Sequence, residues 1–516
     1  MSTFTDPWLL FSRSLTDHAA DVAVIDADDR EITYGDLHRG ALTLSADLTD
    51  ATPVQSGVAV LLGMLPEFLV ADLAILHSGM VKVPLNPMLS GTEMAYIVDH
   101  SRTTVLLTSS RLSAGYRAKV DEIAASCPEV RIVNVSLDGL LDRGVPQNAI
   151  PADLPGQDRA ALYYTGGTTG MPKGVVHTRA GVAATIIAHV IEAEITSETT
   201  LLLSTALSHS AGSFAGASLA RGARTVLLDK FTPEAFGAAV ERHDVTFTMV
   251  VPTMLYRLLD YAAAGHATPA LETLVYGSAP ITPSRLQEAV EFFGPVLIQL
   301  FGQTECPNWG TVLSKADHAQ ALEDPTILTS CGKRSLLADV RVVGEDGQAL
   351  GPGQIGEICL TAPFQMKEYL GDPDATAKTL VNGWVHTGDI GEWDDRGYLY
   401  IRDRKNDMII TGGYNVYSSE VEAELQKISG VGQVAVVGIP DDDWGESVCA
   451  VVERAPDAAG AALDEDALLT EARTLLGSYK RPKRIEFVDE MPLTPFGKSD
   501  KKSLRARFWA DRERSI

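Results

Sequence analysis

Tyr163-Tyr164-Thr165-Gly166-Gly167-Thr168-Thr169-Gly170-Met171-Pro172-Lys173-Gly174 is the most informative stretch of the chain. The apolar run before it, residues 160–164, predicts a strand that leads into a loop of Gly and Thr closed by Lys173. Glycines let backbone N–H groups come close to phosphate oxygens, and threonine hydroxyls add donors. Lys173 adds a mobile positive charge. The spacing is not that of a Walker A loop, which needs Gly-Lys-Ser/Thr five residues after its first Gly. The residues alone leave two readings open, a phosphate cradle and a flexible surface loop.

Helical and strand signals alternate on both sides of this loop. Residues 58–62 form a short apolar run of the kind buried on both faces of a parallel sheet. A helix is expected over 66–77, then strands over 81–84 and 103–107. Thr232-Pro233-Glu234 combines an N-cap residue, a first-turn proline and an acid at the positive end of the helix dipole, so a helix is predicted as far as 243. Thr282-Pro283 repeats that start signal, and Gly294-Pro295 stops the helix before a strand over 296–301. This alternation predicts a layered α/β body with mostly parallel sheets.

Near residue 400 the pattern changes. Strand-like runs at 397–401 and 408–411 flank the charged stretch 402–407, which reads as a solvated connector. A helix (419–428), two strands (433–439 and 447–452), a helix (465–476) and a last strand (484–488) then predict a small α+β domain of about 110 residues. The boundary is placed after Arg404, giving an N-terminal body (1–404) and a C-terminal domain (405–516).

Composition supports two cores. The 516 residues exceed the roughly 250–300 at which one core stops growing. The chain is 45% hydrophobic and 22% charged, an ordinary globular composition. Its 68 acids outnumber 43 bases, for a net charge of −25, which argues against a nucleic-acid binder or a basic membrane-surface protein. A polyphosphate ligand stays open, because a local basic cluster can sit in an acidic field. Cys127, Cys306, Cys331, Cys359 and Cys449 are widely spaced and form no C-x-x-C pair, which suits unpaired thiols in a reducing cytoplasm. Residues 1–15 lack the pattern of a secretory signal, and no apolar run approaches the roughly 18 residues of a membrane span.

The Gly/Thr loop resembles the phosphate-loop signature of the adenylate-forming superfamily, which contains acyl- and aryl-CoA synthetases, carrier-protein-loading adenylation domains and firefly-type luciferases. The other signatures of that family follow in order. Ile32-Thr33-Tyr34 and Val83-Pro84-Leu85-Asn86-Pro87 resemble the first two. Phe301-Gly302-Gln303-Thr304-Glu305 and His386-Thr387-Gly388-Asp389 resemble the next. Asp403-Arg404-Lys405-Asn406-Asp407 with Gly412-Gly413-Tyr414-Asn415 resembles the hinge and glycine turn, and Pro492-Leu493-Thr494-Pro495-Phe496-Gly497-Lys498 the C-terminal lysine motif. The resemblance covers nearly the whole chain. It implies a large N-terminal body, a small mobile C-terminal domain, and formation of an acyl-AMP from ATP and a carboxylic acid.

The resemblance also implies roles. Thr165, Gly166, Gly167, Thr168, Thr169 and Lys173 would hold ATP phosphates. Phe301 with Gly302 and Gly277-Ser278-Ala279 would flank adenine, and Thr304 would donate to the α-phosphate. Asp389, an acceptor when ionised, suits the ribose hydroxyls, with Arg404 beside it. Glu305 would hold Mg2+, a hard cation that wants carboxylate oxygen. Lys498 would stabilise the charge that develops as a carboxylate attacks the α-phosphate. His209 would border the carboxylate pocket and thiol tunnel, although the proline that precedes this histidine in the family is Ala206 here. Asn406 aligns with the hinge, where relatives carry Asp or Lys.

The acyl acceptor is read from the C-terminal part. Trp444 offers an aromatic face at the position where similar CoA ligases contact the nucleotide, Gly412-Gly413 a bare backbone past which pantetheine can thread, and Tyr479-Lys480-Arg481-Pro482-Lys483-Arg484 four cations in an acidic chain. CoA carries phosphates, so these residues, Gly412, Gly413, Trp444, Tyr479 and Arg481 above all, favour CoA over an acyl carrier protein. By resemblance the acyl pocket is built from His209, Ser213, Phe214, Tyr276, Gly302, Cys306 and Asn308. Its polar and aromatic lining points to a small, aryl or functionalised acid. The expected activity is that of an ATP- and Mg2+-dependent acid:CoA ligase. The alternatives are an adenylating enzyme that loads a carrier protein or serves a non-thiol nucleophile, and a nucleotide-sensing scaffold that has lost turnover.

Overall fold

The structure, a computed structural model, describes residues 6–146, 154–165, 171–266, 271–279, 281–405, 407–412, 414–441, 443–494 and 499–509. Contacts divide the chain into two compact units, residues 1–340 with 360–386, and residues 341–359 with 387–516. The fold is mixed α/β, with a large N-terminal body and a smaller C-terminal domain, as the sequence predicts.

Among the described residues the first unit carries two large sheets. One runs in the order Lys333–Arg334, Cys306–Leu313, Leu297–Gln303, Thr273–Gly277, Phe247–Val250, Thr200–Leu203, Arg224–Leu227, Val22–Ile25, Glu31–Thr33. It is parallel from Leu297–Gln303 to Val22–Ile25 and antiparallel at both ends. The other runs Glu368–Tyr369, Lys173–Thr178, Arg159–Thr165, Val81–Pro84, Gly57–Val60, Thr103–Thr108, Arg131–Asn134. Only its first two pairings are antiparallel.

Local signals set these elements. The helix Pro233–His243 starts where predicted, with Thr232 Oγ1 accepting from Ala235 N at 3.1 Å. The helix Glu67–Ser78 is apolar on almost every face and is buried accordingly. Asp72, its half-buried acid, pairs with Lys82 of the strand Val81–Pro84 at 2.5 Å.

In the second unit the strands run Tyr414–Val416, Ile409–Thr411, Gly445–Arg454, Val431–Asp441, with Arg484–Val488 parallel beside Gly445–Arg454. Val436, Val448 and Ala450 pack there against Val421 and Leu425 of the helix Ser418–Leu425 and Leu468 of the helix Glu465–Leu475. The reading of 402–407 as a solvated connector is corrected in its first half. Arg402, Asp403 and Arg404 end the strand Leu399–Arg404, which pairs antiparallel with Trp384–Trp393. Asp403 is only 5% exposed. It accepts from Ser418 N and Ser418 Oγ, and the Lys501 ammonium lies 2.7 Å from both Ser418 Oγ and Glu422. A buried carboxylate is tolerated where donors this distant in sequence converge on it. Asn406, the expected hinge, lies outside the described residues. No helix among the described residues is long and apolar enough to cross a membrane.

Candidate active site

The strands Arg159–Thr165 and Lys173–Thr178 pair antiparallel as a hairpin, with Thr165 opposite Lys173. Gly166, Gly167, Thr168 and Thr169 lie outside the described residues. The Lys173 ammonium stands 4.0 Å from Asp372 and 5.2 Å from the centre of the Tyr369 ring.

A second hairpin supplies the acid. In the pairing of Leu297–Gln303 with Cys306–Leu313, Gln303 faces Cys306, so Thr304 and Glu305 form the two-residue connection. The Tyr369 hydroxyl donates to Glu305 Oε1 at 2.5 Å. Burial, and then the Glu305 charge, raise the Tyr369 phenol well above its ordinary pKa, so it remains a donor. His177 Nε2 lies 2.9 Å from the Thr304 carbonyl, which can only accept, so Nε2 carries the proton. Burial lowers the His177 pKa to about 4, which keeps the ring neutral. Tyr369 thus joins the cation of one hairpin to the carboxylate of the other.

The expected adenine flank begins where the strand Thr273–Gly277 ends, with Gly277 opposite Leu300 in the parallel pairing. Carboxyl ends of parallel strands are where open α/β sheets bind ligands. Ser278 follows with φ of +67°, an uncommon left-handed conformation for serine. Phe301 sits on the neighbouring strand, facing Thr311, and Ala279 is half-buried.

The expected acyl pocket gathers around the helix Ser210–Arg221, which carries Ser213 and Phe214 and has His209 at its N-cap position. Burial lowers the His209 pKa. Phe214, Tyr276 and Cys306 are fully buried, and burial pushes the Cys306 thiol up, away from thiolate chemistry. Gly302 is needed by close approach, because a Cβ there would fall 2.6 Å from Asn308 N.

In the second unit, Asp389 is 4% exposed and meets Arg404 Nε at 3.1 Å. Its backbone N–H donates to Thr387 Oγ1, which donates to the Ile358 carbonyl. Gly412 has φ of +56°, and a Cβ there would fall 2.5 Å from Trp444 Cε3. Trp444 is 42% exposed, with Lys483 Nζ 4.3 Å over its ring. Tyr479 packs on Tyr414 at 5.1 Å. Arg481 donates to the Leu476 and Arg473 carbonyls, at the end of the helix Glu465–Leu475. Gly413 and Lys498 lie outside the described residues.

The AMP-binding enzyme family matches residues 11–370, and its C-terminal domain family matches residues 420–498. The chain belongs to the AMP-binding enzymes. This AMP-binding enzyme is 36% identical over 513 residues to a medium/long-chain-fatty-acid–CoA ligase, FadD8, of Mycobacterium tuberculosis, covering 96% of this chain and 88% of the relative. It is 35% identical over 484 residues to a feruloyl-CoA synthase of an Amycolatopsis species, covering 92% and 94%. Among solved structures it resembles the amide bond synthetase McbA of Marinactinospora thermotolerans, with a TM-score of 0.85, 33% identity and coverage of 96% and 99%. It is an adenylating ligase.

The donor set of this AMP-binding enzyme suits a magnesium ion shared with a nucleotide. Among the described residues no cluster of three or more His, Cys, Asp or Glu could hold a metal alone. Mg2+ is typically held by one or two carboxylates plus substrate phosphates, and Glu305 is one carboxylate fixed by a neutral donor. Sequence reasoning missed Tyr369, His177 and His189. Tyr369 lies in a two-residue strand, and the histidines read as core residues. Their partners lie 64 to 127 residues away, so no local pattern announces them.

Proposed function

We propose that this chain is an ATP-dependent, AMP-forming acid:CoA ligase acting on a small, aryl or functionalised carboxylic acid. The carrying observation is Tyr369, whose hydroxyl fixes Glu305 and whose ring lies beside Lys173. A cation and a carboxylate joined through one tyrosine suit a triphosphate. In the first half-reaction the acid's carboxylate oxygen attacks the α-phosphorus, and the bond to pyrophosphate breaks. Thr304 and Lys173 orient phosphate oxygens. Glu305 would hold Mg2+, which when bound neutralises phosphate charge. Lys498 supplies the cation for the charge that develops between carboxylate and phosphoryl group.

In the second half-reaction the CoA sulfur attacks the acyl carbonyl carbon and AMP leaves with the electron pair of the broken C–O bond. Gly412, Gly413, Trp444, Tyr479 and Arg481 are the proposed CoA contacts, and Asp389 and Arg404 the ribose contacts. We read residues 405–516 as the mobile domain, with Asn406 as its pivot, and a cytoplasmic setting from the spaced, unpaired cysteines.

A second reading, transfer to a carrier protein or an amine, is favoured by one observation. The cations of the segment 479–484 already have partners, Lys480 with Glu420, Lys483 with Asp441, Arg484 with Glu486 and Arg481 with carbonyls. ATP–pyrophosphate exchange with an acid panel, CoA omitted, tests the first half-reaction. AMP release on adding CoA, a phosphopantetheinylated carrier or an amine then separates the acceptors. Exchange without CoA-dependent AMP release refutes the ligase reading and supports the second.

A further inference from the structure

A polar trio, the buried His189 with the half-buried Asn308 and Ser210, lies beside residues of the expected acyl pocket, and its hydrogen bonds can be assigned atom by atom. His189 lies on the helix Arg179–Glu192 and is fully buried, edge-on to Phe214 at 4.6 Å and Trp309 at 5.5 Å. His189 Nδ1 is 2.7 Å from the Thr185 carbonyl, which can only accept, so Nδ1 carries the ring proton. Burial lowers this histidine to a pKa of about 4, so the ring is neutral and Nε2 is an acceptor. The Asn308 amide nitrogen lies 2.7 Å from Nε2 and 2.8 Å from Ser210 Oγ.

Both Asn308 amide protons are therefore spent, one on His189 and one on Ser210. Among the described residues Asn308 Oδ1 has no donor and the Ser210 hydroxyl proton no acceptor. The trio so presents one acceptor beside one donor. Trp309, fully buried in the same aromatic box, also keeps an indole N–H without an acceptor among the described residues. The open acceptor and donor of the half-buried Asn308 and Ser210 are within reach of a ligand, and the buried Trp309 N–H beside them is the kind of unmet capacity that calls for an explanation. No charged side chain takes part. Glu192, one turn along the helix, accepts instead from Leu336 N at 2.6 Å.

We propose that Asn308 and Ser210, held in register by His189, select acids with an aromatic body and a neutral group that both donates and accepts, such as a hydroxyl. This rests on the acid-activating reading above. A straight alkyl chain would leave the acceptor and donor unpaired, and a second carboxylate would bring charge into a neutral, apolar box. Asn308 determines specificity, and His189 is a positioning residue.

The test is ATP–pyrophosphate exchange on matched acids, 4-hydroxycinnamate against cinnamate, with octanoate and adipate alongside. Wild-type protein is expected to favour 4-hydroxycinnamate over cinnamate at least tenfold in kcat/KM, and over octanoate and adipate by more. Asn308 has φ of +60°, so Asn308→Gly removes the amide without backbone strain and should bring the hydroxyl ratio near one. His189→Leu should lose the ratio and His189→Gln, which can still accept from the amide, should retain most of it. A wild-type ratio near one, a preference for octanoate or adipate, or an unchanged ratio in Asn308→Gly overturns the inference and leaves the acid-activating reading standing. Loss of exchange with every acid while ATP still binds overturns both.

Discussion

Replacing Tyr369 by phenylalanine removes one oxygen and keeps the ring beside Lys173. The oxygen is the donor to Glu305, in a 2.5 Å bond to a carboxylate. Hydrogen bonds to charged groups contribute about 1.5–3 kcal/mol net, which is about 10- to 150-fold in a rate or binding constant. Glu305 is only half-buried, so water can replace part of the lost donor, and the lower end, about tenfold, is expected. The loss should fall on kcat/KM for MgATP, and half-maximal exchange should need more Mg2+, because the carboxylate proposed to hold the metal is no longer oriented. The assay is ATP–pyrophosphate exchange at saturating acid across Mg2+ and ATP, with folding followed by circular dichroism. A double-mutant cycle with Glu305→Gln sharpens it. If the phenol acts through Glu305, Tyr369→Phe should cost little on the Glu305→Gln background. A kcat/KM within twofold of wild type in folded Tyr369→Phe, or the same tenfold loss on both backgrounds, refutes the reasoning.

Lys498→Ala should lower acyl-AMP formation at least about 100-fold, since one preorganised charge aimed at a transition state is worth that much; undiminished exchange removes Lys498 from the chemistry. Asn406→Pro fixes φ at the proposed pivot and should spare acyl-AMP formation more than thioester formation, whereas equal loss in both removes the hinge assignment. Stability should fall in acid. His177, His189 and His318 are buried and lowered to about 4, so the unfolded chain takes up their protons first, near 6.5. Stability is then complete above about 6.5 and lost as the pH falls towards 4, by about 3 kcal/mol per histidine. Burial raises Asp403 and Glu422, which act in the opposite sense and offset part of the loss. Urea midpoints at constant slope from pH 7.5 to 4.5 measure it, and a flat or rising midpoint contradicts the burial argument.

The sequence carried most of what depends on short-range chemistry. Thr232-Pro233-Glu234 placed the start of the helix Pro233–His243, and the strand Arg484–Val488 was read to the residue. The Thr304-Glu305 pair stands where the sequence placed it, just past the strand Leu297–Gln303. What escaped is set by partners remote along the chain. The stretch 402–407 looks solvated because it is charged, but Asp403 is buried where Ser418 donates to it and Lys501 lies near. His189 reads as one more core residue of the apolar helix Arg179–Glu192, and only Asn308, 119 residues on, gives its lone pair a partner. Glu305 shows the same division within one residue. Its identity says that it can bind a cation, while its orientation depends on a phenol 64 residues away. A motif thus names the groups available for chemistry, and the distant donors fix which atom of each group is left to meet the substrate.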